Sequence, residues 1–156
     1  MQRRTFLAAA ALSATLAPLT GAARNDTRWP VMQVWKDPQC GCCKDWVAYL
    51  EAEGFEVKVL DTGNTAARKR LGLPDKYASC HTALIGGYVV EGHVNAPEIR
   101  RLLTEKPQAL GLAVPGMPVG SPGMDGAVYG NRQDPYDVLL VQRDGSSRVY
   151  KSYFRS

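Results

Sequence analysis

Cys40, Cys42 and Cys43 stand together in Cys40-Gly41-Cys42-Cys43, and only one further cysteine, Cys80, occurs in the 156-residue chain. A thiol acts as nucleophile or soft-metal ligand in its thiolate form. That form is favoured at the start of a helix, where unpaired backbone N–H groups and the macrodipole stabilise negative charge. Cys40 and Cys43 have the spacing of a dithiol for thiol–disulfide exchange. Cys42 has no place in such a pair, and a third thiol beside it would scramble a clean dithiol cycle. Three thiolates from one turn instead suit soft ions, held singly or bridged. A structural Cys40–Cys43 disulfide with Cys42 buried is the remaining alternative; the clustering favours metal. It makes a poor staple, because so short a loop removes little entropy from the unfolded chain.

The elements around the motif set its position. Val31 to Lys36 reads as a strand, rich in β-branched and aromatic residues and ended by Asp37-Pro38. Cys43, Trp46, Val47 and Leu50 fall on one face of a helix that runs to Glu53, with Gly54 as its C′ residue. Phe55 to Leu60 predicts a second strand. Asn64 is placed to cap a short helix over Thr65 to Leu71, closed by Gly72. Thr82 to Ile85 and Tyr88 to Glu91 flank Gly86-Gly87 as a hairpin. Asn95 and Glu98 have the spacing of a capping box for a helix with Ile99, Leu102 and Leu103 on its buried face, ended by Lys106-Pro107. The order β-α-β-α-β-β-α predicts an α/β fold with a mixed sheet flanked by helices, and resembles the thioredoxin fold. Residues 111–126 hold five glycines and three prolines in sixteen positions, which predicts an irregular loop. Tyr136 to Val141 and Arg148 to Phe154, about the turn Asp144-Gly145, predict a C-terminal β-hairpin over 136–154 that joins the sheet or packs beside it.

This order places the other candidate groups. Cys80 precedes the third strand and is expected to face the cysteine turn. Thioredoxin-like oxidoreductases usually carry a shielding cis-proline there, and no proline stands between Pro74 and Pro97. Cys80 would complete a four-thiolate site; its alternative is a buried free thiol. Alternation along a strand is expected to point His81 to the opposite face, so it is as much a structural as a ligand candidate. His93 is expected to support the site rather than to bind in it. Met117 and Met124, in a repeated Pro-Gly-Met, offer thioethers suited to Cu(I) or, equally, plugs for a loop folded over the core. No Ser-His-Asp triad, paired carboxylates, phosphate loop or zinc-protease pattern is present.

Composition sets the context. Hydrophobic residues make up 45% and charged residues 22%, a globular composition for one domain. Residues 1–23 read as an export signal: basic Arg3-Arg4, apolar Phe6 to Leu19, then small residues at Gly21-Ala22-Ala23. Arg3-Arg4-Thr5-Phe6-Leu7 also resembles a twin-arginine signal. Without that segment 133 residues remain, 24–156, with 17 basic against 15 acidic side chains. That balance argues against nucleic acid and against membrane insertion after signal removal. Arg68-Lys69-Arg70, the one basic cluster, reads as a solvated helix face.

Several motifs together carry a resemblance. Cys40-Gly41-Cys42-Cys43 followed by Trp46, Ser79-Cys80-His81-Thr82, Glu91-Gly92-His93-Val94, Val114-Pro115-Gly116-Met117-Pro118 and Gly120-Ser121-Pro122-Gly123-Met124 occur in the order seen in the CopG family, and the chain resembles it from about Val31 to the final hairpin. The resemblance implies an exported, periplasmic protein tied to copper resistance, with a thioredoxin-like fold. It implies a Cu(I) site on Cys40, Cys42, Cys43 and Cys80, with Met117, Met124 and His81 as weaker ligands, and a multinuclear thiolate-bridged cluster with copper redox chemistry as one form. Copper efflux or copper chaperone proteins would be its partners. Many relatives have His where this chain has Tyr49, which implies a smaller or differently tuned site here. Two other readings stay open: thiol–disulfide exchange at Cys40 and Cys43, and copper delivery to an efflux system without catalysis. Zinc would take the same thiolates.

Overall fold

The computed structural model describes residues 29–155; the expected export signal lies outside them. Strand β1 (Met32–Lys36) enters the fold, followed by helix α1 (Gly41–Ala52), β2 (Val57–Leu60), helix α2 (Thr65–Arg70), the hairpin β3 (His81–Ile85) and β4 (Tyr88–Glu91), and helix α3 (Ala96–Glu105). Strands β5 (Gly111–Ala113), β6 (Tyr136–Val141) and β7 (Ser147–Tyr153) complete the chain. They form one mixed sheet of seven strands in the order β2-β1-β3-β4-β5-β6-β7. The β1–β2 and β4–β5 pairs are parallel and the others antiparallel.

Alternation on β3 and β4 sorts the core onto two faces. On one, Trp46, Val47 and Leu50 of α1 and Ile99, Leu102 and Leu103 of α3 pack on Met32, Val34, Ala83, Val90 and Leu112. On the other, Leu73 and Tyr77 cover Val89, Ala113 and Val141. Each large side chain so buried contributes on the order of 2 kcal/mol. No helix among the described residues is long and apolar enough to cross a membrane.

Four expectations need correction. First, residues 111–113 are not loop. They form β5, the strand that joins the terminal hairpin to the sheet. Glycine is there for close approach: a Cβ on Gly111 would lie 1.8 Å from the carbonyl oxygen of Val89, its register partner. A glycine that reads as a breaker is, in a strand, a point of backbone contact. Second, the capping box does not form. The Asn95 side chain accepts from Tyr136 Oη at 2.9 Å and Glu98 accepts from Tyr153 Oη at 2.7 Å, so both polar groups anchor the terminal hairpin to α3. Third, Asn64 is the N-cap residue of α2 as expected, but its side chain makes no capping bond; its amide turns toward β3, donating to Ser79 O at 3.1 Å and Thr82 Oγ1 at 3.2 Å. Fourth, Arg68 is not on a solvated face: it is buried, with Nη1 3.3 Å from Glu91.

Candidate metal centre

The turn Asp37-Pro38-Gln39 leads from β1 into the cysteines. The Asp37 side chain accepts from the Gln39 N–H at 2.8 Å, and Cys40 N–H donates to Asp37 O at 3.1 Å, which aims the chain into α1. Cys40 is the N-cap residue of α1, so Gly41, Cys42 and Cys43 occupy its first turn. Cys43 faces the core and is fully buried, whereas Cys40 and Cys42 are half-buried. Cys40 and Cys43 are joined as a disulfide; Cys42 and Cys80 are free thiols.

Cys80 faces this turn, as its place in the order predicts. Its Sγ lies 3.9 Å from Cys42 Sγ, and Cys42 Sγ lies 3.6 Å from Cys40 Sγ. Cys43 Sγ is 3.6 Å from the Cys80 carbonyl oxygen. The four sulfur atoms lie within 4.8 Å of one another. Burial first, and the adjacent Cys42 thiol second, push the Cys80 thiol up to about 12. Cys80 is therefore a protonated thiol at neutral pH unless a cation takes the place of its proton.

Both histidines lie beside Cys80, which corrects one expectation. His81 is not turned away: its Nδ1 lies 3.4 Å from Cys80 Sγ. The alternation rule does not reach across this pair, because Cys80 lies in a bend and the strand begins only at His81. The His81 ring packs on Trp46 at 4.2 Å between centroids, and Trp46 donates through Nε1 to Val94 O at 2.9 Å. His93 lies against the same thiol. Its Nε2 lies 3.1 Å from Cys80 Sγ, and its Nδ1 lies 2.8 Å from Pro122 O. A carbonyl only accepts, so Nδ1 carries the proton and the Nε2 lone pair faces the thiol, which is how metal-binding imidazoles are oriented. Burial, with His93 nearby, presses His81 down to about 3, and burial lowers His93 as well. Both are neutral imidazoles, and His81 Nε2 is the one buried side-chain N or O atom among the described residues without a hydrogen-bond partner. Cys80, His81 and His93 have donor atoms within 4.8 Å of one another, so Cys80 belongs to two donor clusters at once.

The Gly/Pro/Met segment covers the site. Pro122 O fixes His93, Gly116 N–H donates to Ala78 O at 3.1 Å, and the Ser79 hydroxyl donates to Gly116 O. At Gly123, with φ +81°, a Cβ would lie 2.7 Å from both Cys42 O and Trp46 N, so the segment lies backbone to backbone on the first turns of α1. Met124 follows directly and is half-buried, whereas Met117 is 51% exposed. Tyr49, on α1, accepts from Ala96 N–H at 3.0 Å at the start of α3. Its hydroxyl is committed to a helix terminus, away from ligand duty.

This donor set, four sulfurs and two neutral imidazoles, fits a soft cation. Using all four sulfurs requires that the Cys40–Cys43 disulfide first be reduced. The sequence signal that could have placed His93 was its position two residues beyond β4, across from the Cys80 bend at the start of the antiparallel partner β3.

Comparisons with known proteins place the chain in a family. A family model described as "Protein of unknown function, DUF411" matches residues 77–124, the stretch from the Cys80 approach to Met124. No curated protein matches the sequence. Two solved structures, forms 1 and 2 of a protein named "Copper resistance protein copG", superpose with a TM-score of 0.73. Each is 46% identical and covers 80% of this chain and 98% of its own. With identity at that level across nearly all of the solved chain, this protein belongs to the CopG family of copper resistance proteins.

Proposed function

We propose that this is an exported periplasmic protein that handles copper in a thioredoxin-like domain, binding Cu(I) through the thiolates of Cys40, Cys42, Cys43 and Cys80. The observation that carries the reading is four sulfur atoms within 4.8 Å of one another, with His81 and His93 drawn in through Cys80. Thiolates and neutral imidazoles are soft enough for Cu(I), and a donor set that spans two clusters sharing one sulfur has room for more than one ion bridged by thiolate. Met124, half-buried in the covering segment, and Met117, exposed in it, are further thioether donors. Copper is the cargo: the protein buffers it, passes it to an efflux or chaperone partner, or cycles it between Cu(I) and Cu(II). The test is metal analysis of reduced protein purified without oxygen, with zinc measured alongside. Copper bound by wild type and lost in Cys42→Ser supports the reading; no copper in wild type, or equal copper in Cys42→Ser, contradicts it.

One observation favours a second reading. The Cys40–Cys43 disulfide at the start of α1 is the arrangement of a thiol–disulfide oxidoreductase. That reading predicts reduction of insulin disulfides that requires Cys40 and Cys43 and survives Cys42→Ser and Cys80→Ser. An inactive wild type ends it.

A further inference from the structure

Glu91 and Arg68 contribute no donor atom to the sulfur cluster, yet Glu91 is fully buried and Arg68 is 8% exposed. Withdrawing a carboxylate and a guanidinium from water costs several kcal/mol each before their partners offset it, and an apolar pair of similar volume would often leave the fold as stable or more so. Stability therefore does not account for a buried acid here, but its contacts do. Glu91 Oε1 accepts from the Ser79 N–H at 2.8 Å and from Arg68 at 3.3 Å, and Oε2 accepts from the Thr82 hydroxyl at 2.6 Å. Asn64 closes the network, its amide donating to both Thr82 Oγ1 and the Ser79 carbonyl. Both backbone groups of Ser79, the residue before Cys80, are thus held by side chains. They need to be, because the ladder with β1 begins only at His81 and that with β4 only at Thr82. Cys80 lies just outside the sheet, and on the sheet side its approach is held by these side chains.

We propose that Glu91, braced by Arg68 and assisted by Asn64, is a positioning residue: it ties down the Ser79–Cys80 backbone, and so sets the Cys80 sulfur against Cys42 and the His93 imidazole. No hydrogen bond of the network reaches Cys40, Cys42 or Cys43, so its effect on the sulfur cluster runs through Cys80. The affinity readout below rests on the copper reading above; the thiol readout does not.

The test is a double-mutant cycle. Cu(I) affinity of the reduced full-length protein is measured without oxygen, by competition with a chromophoric Cu(I) chelator. The variants are wild type, Glu91→Gln, Cys80→Ser and the double variant. The Gln amide presents N–H groups to a site where only donors converge, so one contact must be lost. The expected result is about tenfold weaker binding in Glu91→Gln, the scale of an outer partner of a metal ligand, and no further loss once Cys80 is Ser. Equal losses in both backgrounds, or none in either, overturn the proposal. A second readout needs no metal. In a Cys40→Ser/Cys43→Ser protein the two remaining thiols are equilibrated with glutathione: oxidised glutathione takes their two electrons and two protons, giving the Cys42–Cys80 disulfide and two reduced glutathiones. Glu91→Gln is expected to lower the effective concentration of Cys80 at Cys42, and an unchanged value overturns the proposal. Should wild type bind no Cu(I), the copper reading fails and the thiol equilibrium alone decides this one. Asn64→Ala, at a half-buried position, carries the same two readouts if Glu91→Gln does not fold as judged by circular dichroism.

Discussion

Substituting Gly123→Ala tests whether the covering segment really closes the cysteine turn. The new methyl would lie 2.7 Å from Cys42 O and from Trp46 N. Both are backbone atoms of α1 and cannot rotate away, so the segment itself must lift. The positive φ of +81° adds a second cost, because an L side chain there collides with its own carbonyl. That cost is about 1–2 kcal/mol. Displacing a packed backbone adds about 1–3 kcal/mol. The sum, about 2–5 kcal/mol, lowers Tm by roughly 5–20 °C for a domain of this size. Gly116→Ala is the control: its φ of +70° carries the conformational cost, but nothing lies within 4 Å of the added Cβ. The difference between the two variants in urea melts isolates the collision. Lifting the segment also withdraws Pro122 O from His93 and uncovers Cys80, so alkylation of Cys80 by a charged thiol reagent is expected to quicken in Gly123→Ala and not in Gly116→Ala. Equal stability of the two variants, with equal alkylation, would refute the argument that this segment is a lid held by backbone contact.

Further predictions concern the sheet, the terminal hairpin and the imidazole. Gly111→Ala places a Cβ 1.8 Å from Val89 O in the middle of the sheet and is expected to destabilise by about 3 kcal/mol or more, read by urea denaturation. Burial pushes the Tyr136 and Tyr150 phenols up to about 12, and Tyr153 upward as well. A raised phenol contributes stability that is fully present below its unfolded value, about 10, and is lost as pH climbs toward the folded one. Thermal stability should therefore fall from about pH 10 upward, and Tyr136→Phe should flatten that fall. His93→Ala removes the nitrogen 3.1 Å from Cys80 Sγ and is expected to weaken Cu(I) binding about tenfold or more in chelator competition, with little change in fold by circular dichroism.

The elements were legible because their signals are local. The stripe Cys43-Trp46-Val47-Leu50 and the Gly86-Gly87 turn each declare one structure within a few residues. Cys80 was legible as well, since a βαβ crossover followed by a hairpin leaves few places for the start of β3. What stayed hidden depends on partners distant in sequence. Gly111 reads as a loop breaker until Val89 is known to lie against it. Asn95 and Glu98 match a capping box, and only the arrival of Tyr136 and Tyr153 redirects them. His93 is an ordinary strand-end histidine until Pro122 O fixes its tautomer and Cys80 Sγ meets its free nitrogen. Arg68 belongs to a basic run in which nothing marks it as the one member facing a buried acid.

X-ray absorption at the copper edge, on reduced protein loaded with Cu(I), tests the central claim most directly. The expected result is a Cu(I) edge, a first shell dominated by sulfur with a minor nitrogen contribution, and a copper–copper vector once more than one ion is bound. A shell of nitrogen and oxygen alone, or a sulfur shell that survives intact in a Cys42→Ser/Cys80→Ser protein, would contradict it.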